Sequence, residues 1–255
     1  TITANGDVTN TRAVRKVGDS SIYINNGASN NISTPNSTDF DFGTGDFTVE
    51  MWVRPTSYPG TAANYLGGQL KTNGDNENMF RINGTTHYFY FALTGDSSSK
   101  DVIGTSAIPL DTWTHLAAVR DDETLRIYVD GVQENTADFG TQSQLTPTVP
   151  FYIGATAYTA PGGDAAGYDG YYGYIDEVRV SNTCRYPDGT TFTTFGQDGG
   201  TMANPTPFTA DSNTKLLVHS NWTGGLGADS SGNYNNFTPT NLVATDQMVD
   251  TPTNN

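Results

Sequence analysis

Short runs in which apolar and polar residues alternate recur along this chain, and clusters of Gly, Asn and Asp punctuate them. Successive side chains of a strand point to opposite faces. Residues 47–55 therefore put Phe47, Val49, Met51 and Val53 on one side and Thr48, Glu50, Trp52 and Arg54 on the other, and the first set predicts a core face. In residues 87–94, Phe89, Phe91 and Leu93 alternate with Tyr88, Tyr90 and Ala92, so the second face is aromatic with polar tips. Leu125, Ile127 and Val129 alternate with Arg126, Tyr128 and Asp130, and the Asp130-Gly131 pair predicts a tight hairpin into a strand from Val132. The same reading predicts strands at 21–24, 65–70, 79–83, 101–104, 113–120, 150–154, 172–180 and 215–219. Many short strands at this spacing suit an antiparallel β-sandwich.

The character changes after Val180: residues 184–189 read as a turn or one helical turn, and 192–207 as an irregular connection. A boundary is placed near residue 196. It divides the chain into an N-terminal strand and connector (1–19), the sandwich (20–196) and an extension (197–255) of linker, one strand and a polar tail. That tail holds too little apolar surface for a core of its own, and it is expected to lead into a further domain.

Composition narrows the function classes. A chain of 255 residues suits one large sandwich with a small appendage, and 28 Gly and 12 Pro against 12 Lys plus Arg favour strands joined by turns over helices. The formal charge of −15 would repel a nucleic-acid backbone, so no nucleic-acid partner is expected. The acids are chiefly aspartates, which serve turns and also calcium loops. The single cysteine, Cys184, rules out an intrachain disulfide and is compatible with assembly in a reducing cytoplasm. No apolar run approaches the roughly 20 residues of a membrane-spanning helix, and the first seventeen residues lack the apolar core of a signal peptide, so no membrane insertion is expected.

Four runs carry a resemblance: GTGDFTVEMWV at 43–53, WTHLAAVR at 113–120, LRIYVDG at 125–131 and GYIDEVRV at 173–180. In order and spacing they resemble the laminin-G-like, concanavalin A-like lectin/glucanase superfamily over about residues 20–182. Two further runs, FTADSNTKLL at 208–217 and DSSGN at 229–233, resemble connectors between such domains in tail-fibre-like and other virion proteins of marine bacteriophages. The opening TITANG is similar to the run that succeeds such a loop in this family, the place that FTPTN at 237–241 takes here, so the chain is expected to be a segment of a longer protein. The resemblance implies an all-β, antiparallel jelly-roll β-sandwich of two sheets, each of six or seven strands, with ligands on the concave face or the rim loops.

Members of the superfamily include glycan-binding modules, adhesion domains, structural calcium binders and glucanases, so the residues must decide among them. Glycoside hydrolysis ordinarily needs two carboxylates about 5 to 9 Å apart, which the glucanase branch presents as a Glu-x-Asp-x-x-Glu run. None occurs here: Asp121-Asp122-Glu123 falls in a hairpin turn, and Asp176 and Glu177 are read as adjacent residues on opposite faces of a strand. No enzymatic activity is expected. His87, His115 and His219 fall on separate predicted strands without metal or triad spacing, and Cys184 lies beside Arg185 with no base in view. For calcium, the resemblance implies a ligand at Asp176, with Asp164 and Asp169 of the glycine-rich loop 161–170 as further donors, although the early loop NNGASN at 25–30 lacks the family's acid.

Sugars stack their apolar faces on aromatic rings while amides and carboxylates take their hydroxyls. Two tyrosine-rich groups fit: Tyr158, Tyr168, Tyr171 and Tyr172 around the glycine loop, and Trp52, Tyr88 and Tyr90 on strand faces opposite the core set. The competing reading packs these rings beneath loops or against a neighbouring subunit. The expectation is a non-catalytic carbohydrate-binding module of a bacteriophage fibre, exposed on the virion surface and meeting cell-surface glycans, other virion proteins or copies of itself. A purely structural decoration protein of the virion is the alternative.

Overall fold

A computed structural model describes residues 3–5, 8–25, 30–60, 63–70, 76–154, 168–187, 189, 191–196, 199–221, 228–233 and 235; for 3–5, 70, 76–77 and 168–169 it describes the backbone alone. Sixteen strands run in chain order within these residues: β1 (Thr3–Asn5), β2 (Val8–Thr11), β3 (Ser21–Ile24), β4 (Asn31–Thr34), β5 (Phe47–Pro55), β6 (Ala63–Leu70), β7 (Asn76–Ile82), β8 (Tyr88–Thr94), β9 (Ser99–Ala107), β10 (Thr114–Asp121), β11 (Thr124–Val129), β12 (Val132–Asp138), β13 (Phe151–Ile153), β14 (Tyr168–Gly170), β15 (Gly173–Ser181) and β16 (Thr214–Val218). The one helical element among them is a 3-10 turn, Thr38–Phe40.

The strands form an all-β sandwich. The first sheet runs β1-β4-β13-β6-β7-β8-β9, with β14 beside β6, and the second runs β12-β11-β10-β5-β15-β3-β2, with β16 on β15. Each holds eight strands rather than six or seven, because β14 and β16 add themselves beside strands already paired. Every pairing is antiparallel except that of β14 with β6. The core fills from both inner faces: Phe47, Val49, Met51 and Val53 of β5 meet Phe89, Phe91 and Leu93 of β8, as alternation predicts. Asp130 (φ 50°) and Gly131 (φ 78°) both adopt the left-handed backbone that a type I′ hairpin requires. A Cβ on Gly131 would also lie 2.1 Å from the Phe192 carbonyl oxygen, so glycine is needed there twice over.

The register slips within β15 between Asp176 and Arg179, with Glu177 at φ 51°. This bulge lets Ile175 and Val178 both enter the core although three residues apart. Asp176 and Glu177 therefore do not fall on opposite faces as simple alternation predicts. Both carboxylates hold flanking segments: Asp176 accepts from the Lys16 and Val17 amides, and Glu177 accepts from the Phe208 amide at 2.8 Å.

Alternation misses one feature altogether, the roof over the second sheet. The outer side chains of that sheet, Trp52, Ala117, Val119 and Tyr128, pack against Val17, Cys184, Tyr186, Phe192 and Phe195. Residues 184–187 contribute to this cover without a helix, whereas β16 extends the sheet itself by joining β15 and sends Leu216 and Val218 into the sandwich core. Burial pushes the Cys184 thiol up to about 11, which keeps it protonated and unreactive.

Under the roof Glu50 is fully buried, and four side-chain hydrogen bonds reach it. Arg179 donates from Nε and Nη2 at 2.8 and 2.6 Å, Tyr186 donates from its hydroxyl at 2.6 Å, and His115 Nε2 lies at 3.1 Å. Burial alone would raise the Glu50 pKa, but Arg179, His115 and Tyr186 outweigh it and bring it from 4.5 to about 2. A carboxyl depressed in the folded state contributes stability above its unfolded pKa and loses it as pH falls through the folded one. The Glu50 contribution should therefore be constant above about pH 5 and fall between pH 4.5 and 2, measured as the difference between the native protein and Glu50→Gln in thermal unfolding across a pH series.

The free edges of the two sheets are joined by side chains. Glu134 on β12 reaches across to β9 and accepts from the Thr105 and Ser106 amides at 2.7 and 2.9 Å, and Asn135 donates to the Ile103 carbonyl at 3.0 Å. A carboxylate seated on edge-strand amides blocks pairing with another strand.

Candidate functional site

Strands β6 to β9 turn a second set of side chains away from the core. Because Phe80 and Ile82 of β7, Phe89 and Phe91 of β8 and Val102 of β9 point inward, the residues between them point outward. The register lines these up. Tyr65 pairs with Arg81, Arg81 with Tyr90, and Tyr90 with Ile103, a row that crosses three strand spacings, about 14 Å. Beside it, Gly68 pairs with Met79, Met79 with Ala92 and Ala92 with Asp101. Ala63, Tyr65, Met79, Tyr90 and Ala92 pack into a cluster of their own, separate from the sandwich core. All five are 1–8% exposed, so they form a packed layer, on which the partly exposed Arg81, Tyr88, Asp101 and Ile103 stand.

The polar edge is ordered. The Arg81 guanidinium lies 3.8 Å from the centre of the Tyr90 ring, within cation–π range. The Tyr90 hydroxyl hydrogen-bonds Asp101, and burial first, then Asp101, push the phenol up to about 12, so it stays a donor. Tyr88 is half-buried at the end of the strand, and Ile103 is 41% exposed.

The structure divides the residues singled out from sequence. Tyr88 and Tyr90 share this outward face, whereas Trp52 lies on the other sheet, fully buried, its ring 5.3 Å from Phe195 with the Lys16 ammonium over it at 4.6 Å. Trp52 thus offers no ring face to a ligand. Tyr171 is also fully buried, its hydroxyl donating to the Tyr174 carbonyl at 3.2 Å. Tyr172 is half-buried at the rim and its carbonyl accepts from the Thr56 amide. Tyr158 and Asp164 lie outside the described residues, as do the side chains of Tyr168 and Asp169; the backbone of β14 places 168–170 in parallel register with 63–65, at the margin of the outward face.

Asp176 does not fit a calcium ligand. Its side chain is sealed from solvent, and three backbone amides occupy its oxygens: Lys16 and Val17 at 3.0 Å on Oδ2 and Glu177 at 3.0 Å on Oδ1. Amide donors present positive ends where a cation would sit. Burial, the adjacent Glu177 charge adding to it, drives the carboxyl well above its ordinary value despite those donors. Among the described residues no three His, Cys, Asp or Glu side chains gather as a metal set.

Sequence reasoning missed Arg81 and Asp101, although both alternate with core residues and could have been placed on the Tyr90 face. It also missed an aromatic group at the uncovered end of the second sheet. There Tyr23 and Tyr174 are cross-strand partners with ring centres 4.7 Å apart, and Trp113 lies 6.4 Å further on. Arg54, paired to Asp111 at 3.0 Å, flanks Tyr174.

A family model described as the concanavalin A-like lectin/glucanases superfamily matches residues 26–189. Among solved structures, a protein of Bacteroides ovatus proposed to bind carbohydrate aligns with a TM-score of 0.58 at 17% identity, over 83% of this chain and 57% of its own. The carbohydrate-binding module (CBM40) of the Ruminococcus gnavus IT-sialidase, solved with α2,3-sialyllactose, aligns at 0.52 and 16% identity over 67% of this chain and 93% of the module. The receptor-binding domain of botulinum neurotoxin type G aligns at 0.50 and 14%, over 72% of this chain and 43% of its own. This chain thus spans under two thirds of two of these relatives, and at such identities the likeness is one of fold. A search of curated proteins returns no match.

Proposed function

The chain belongs to the concanavalin A-like lectin/glucanase superfamily, and from that premise we propose that it is a non-catalytic carbohydrate-binding module whose ligand lies across the outward face of β6 to β9. The observation that carries this reading is the set of partly exposed side chains, Tyr88, Ile103, Arg81 and Asp101, that stands on the packed layer of Tyr65, Met79, Tyr90 and Ala92. It pairs ring and methyl surface for the C–H faces of a sugar with donors and an acceptor for its hydroxyls. The similar module solved with sialyllactose and the Bacteroides ovatus protein proposed to bind carbohydrate support the class of ligand. Its placement on a bacteriophage fibre or another virion surface protein, facing the glycans of a cell, rests on the resemblance of 208–217 and 229–233 to virion connectors.

The carboxylates support a binding role over hydrolysis. Glu50, Asp176 and Glu177 are buried and committed to internal partners. Asp121 is tied to Arg126 at 2.6 Å in the β10–β11 hairpin.

A glycan panel read by calorimetry tests the proposal, with Tyr88→Ala as the informative variant because this ring is half-exposed and outside the core. Stacking contributes about 0.5–1.5 kcal/mol, so affinity should fall roughly two- to tenfold while the melting temperature holds. The variant Tyr168→Ala/Tyr172→Ala separates the rim from the face, and chelator assigns any calcium dependence. Absence of binding to every bacterial and algal glycan would overturn the reading and favour the structural virion role.

A further inference from the structure

The five arginines on the described strands are not equivalent. Arg54, Arg126 and Arg179 each meet a carboxylate at 3.0, 2.6 and 2.6 Å. Arg120, buried, donates to the backbone carbonyls of Asp122, Gly43 and Gln142 at 2.9, 3.0 and 3.0 Å. Arg81 forms no ion pair among the described residues. Its Nε is sealed from solvent without an acceptor, and the ring of Tyr90 lies against its guanidinium. Among the described residues Arg81 is thus the strand arginine left with an unfilled buried donor, and its nearest carboxylate, Asp101, reaches it only through the Tyr90 hydroxyl that both groups share.

We infer that the ligand of this face is an acidic glycan and that Arg81 receives the carboxylate of a uronic- or sialic-type sugar. The inference rests on the carbohydrate-binding reading and specifies the ligand class within it. A guanidinium matches a carboxylate in plane and can give it two parallel hydrogen bonds. The Tyr90 ring at 3.8 Å fixes the plane of that fork before a ligand arrives, so little side-chain freedom is lost on binding. Ile103, 41% exposed and paired with Tyr90, and the half-buried Tyr88 take the apolar face of the same sugar ring. One opposing group stands on the face among the described side chains: Asp101, exposed and hydrogen-bonded to the Tyr90 hydroxyl. The remaining negative charge of the chain is damped beyond roughly 8 Å at physiological ionic strength.

The test uses the whole chain and three acidic probes, oligogalacturonides, oligoguluronates and a sialylated trisaccharide, each beside its methyl ester, which keeps the sugar and removes the charge. At least one acid should bind about tenfold or more tighter than its ester, the worth of a charge-assisted hydrogen bond. Arg81→Gln should bring acid and ester to the same affinity, and Arg81→Lys should restore part of the difference. Asp101→Asn provides an arm of opposite sign on an exposed residue: it should raise the ratio of acid to ester affinity a few-fold. Equal affinity for acid and ester in the native protein overturns the inference, as does an Arg81→Gln variant that weakens both alike. Binding of a sulfated galactan through Arg81 with no uptake of carboxylated probes overturns the carboxylate assignment. Binding of neutral glycans that depends on Tyr88 but ignores Arg81 overturns the inference and leaves the carbohydrate-binding reading standing, whereas no glycan binding at all overturns both.

Discussion

Replacing Arg179 with alanine should destabilise the protein by about 3–5 kcal/mol, the usual cost of leaving one member of a buried ion pair without the other. Glu50 would remain at 0% exposure with the Tyr186 hydroxyl and His115 as its partners, and neither carries the fixed positive charge of the guanidinium. Arg179 also lies 4.0 Å from the Phe208 ring, so its loss loosens the roof at a second point. Urea unfolding of the native protein and the variant measures the difference. The double variant Glu50→Leu/Arg179→Met checks the cause, because an apolar pair of similar size removes the stranded charge and should recover much of the loss. If the double variant is as unstable as the single, the damage lies in packing and the electrostatic account is wrong.

Phe91→Ala is expected to have an effect of similar size, about 3–5 kcal/mol, from lost transfer energy and the cavity left behind. Phe91 is fully buried, with its ring centre 4.8 Å from Phe80 on the neighbouring strand and 6.0 Å from Phe47 on the opposite sheet. It therefore couples the two sheets, and the surrounding strands cannot close over the gap without sliding past one another. Phe91→Leu, which keeps much of the volume, should cost less than half as much. Against Tyr88→Ala, three residues earlier on β8, the comparison reads the two faces of one strand separately: stability changes with Phe91 and ligand affinity with Tyr88. A Phe91→Ala protein with an unchanged denaturation midpoint would refute the packing assigned to this strand.

The inward half of the fold was legible because burial imposes a period of two on any strand with one face in a core. Phe47 to Val53 and Phe89 to Leu93 are read straight from that pattern, as is the Asp130-Gly131 turn from its backbone requirement. The outward half was not, for a physical reason. A polar residue opposite the core set looks the same whether it meets water, a ligand or another part of the chain. Glu50 and Trp52 read as surface and lie under the roof, because the covering residues Tyr186, Phe195 and Phe208 come from an irregular segment with no period to betray it. The bulge at Asp176 and Glu177 was equally hidden, since an inserted residue appears in sequence only as a break in alternation. Tyr88 and Tyr90 were placed opposite the core set, where the register puts them, but the distinction between Arg81 and the other four strand arginines depends on which acceptors the fold brings near.

The roof over the second sheet has a consequence for how such a module can change. The residues that hold it, Glu50, Arg179, Tyr186 and Phe195, lie on the far side of the sandwich from Arg81, Tyr88 and Asp101. Substitutions at sites that share no partners tend to add in their effects on stability. On the proposed function, recognition and foldedness are thus separable traits, carried on opposite surfaces of one scaffold. The partly exposed residues of the proposed binding face, Tyr88, Arg81 and Asp101, can be exchanged one at a time while the sealed face keeps the scaffold the same.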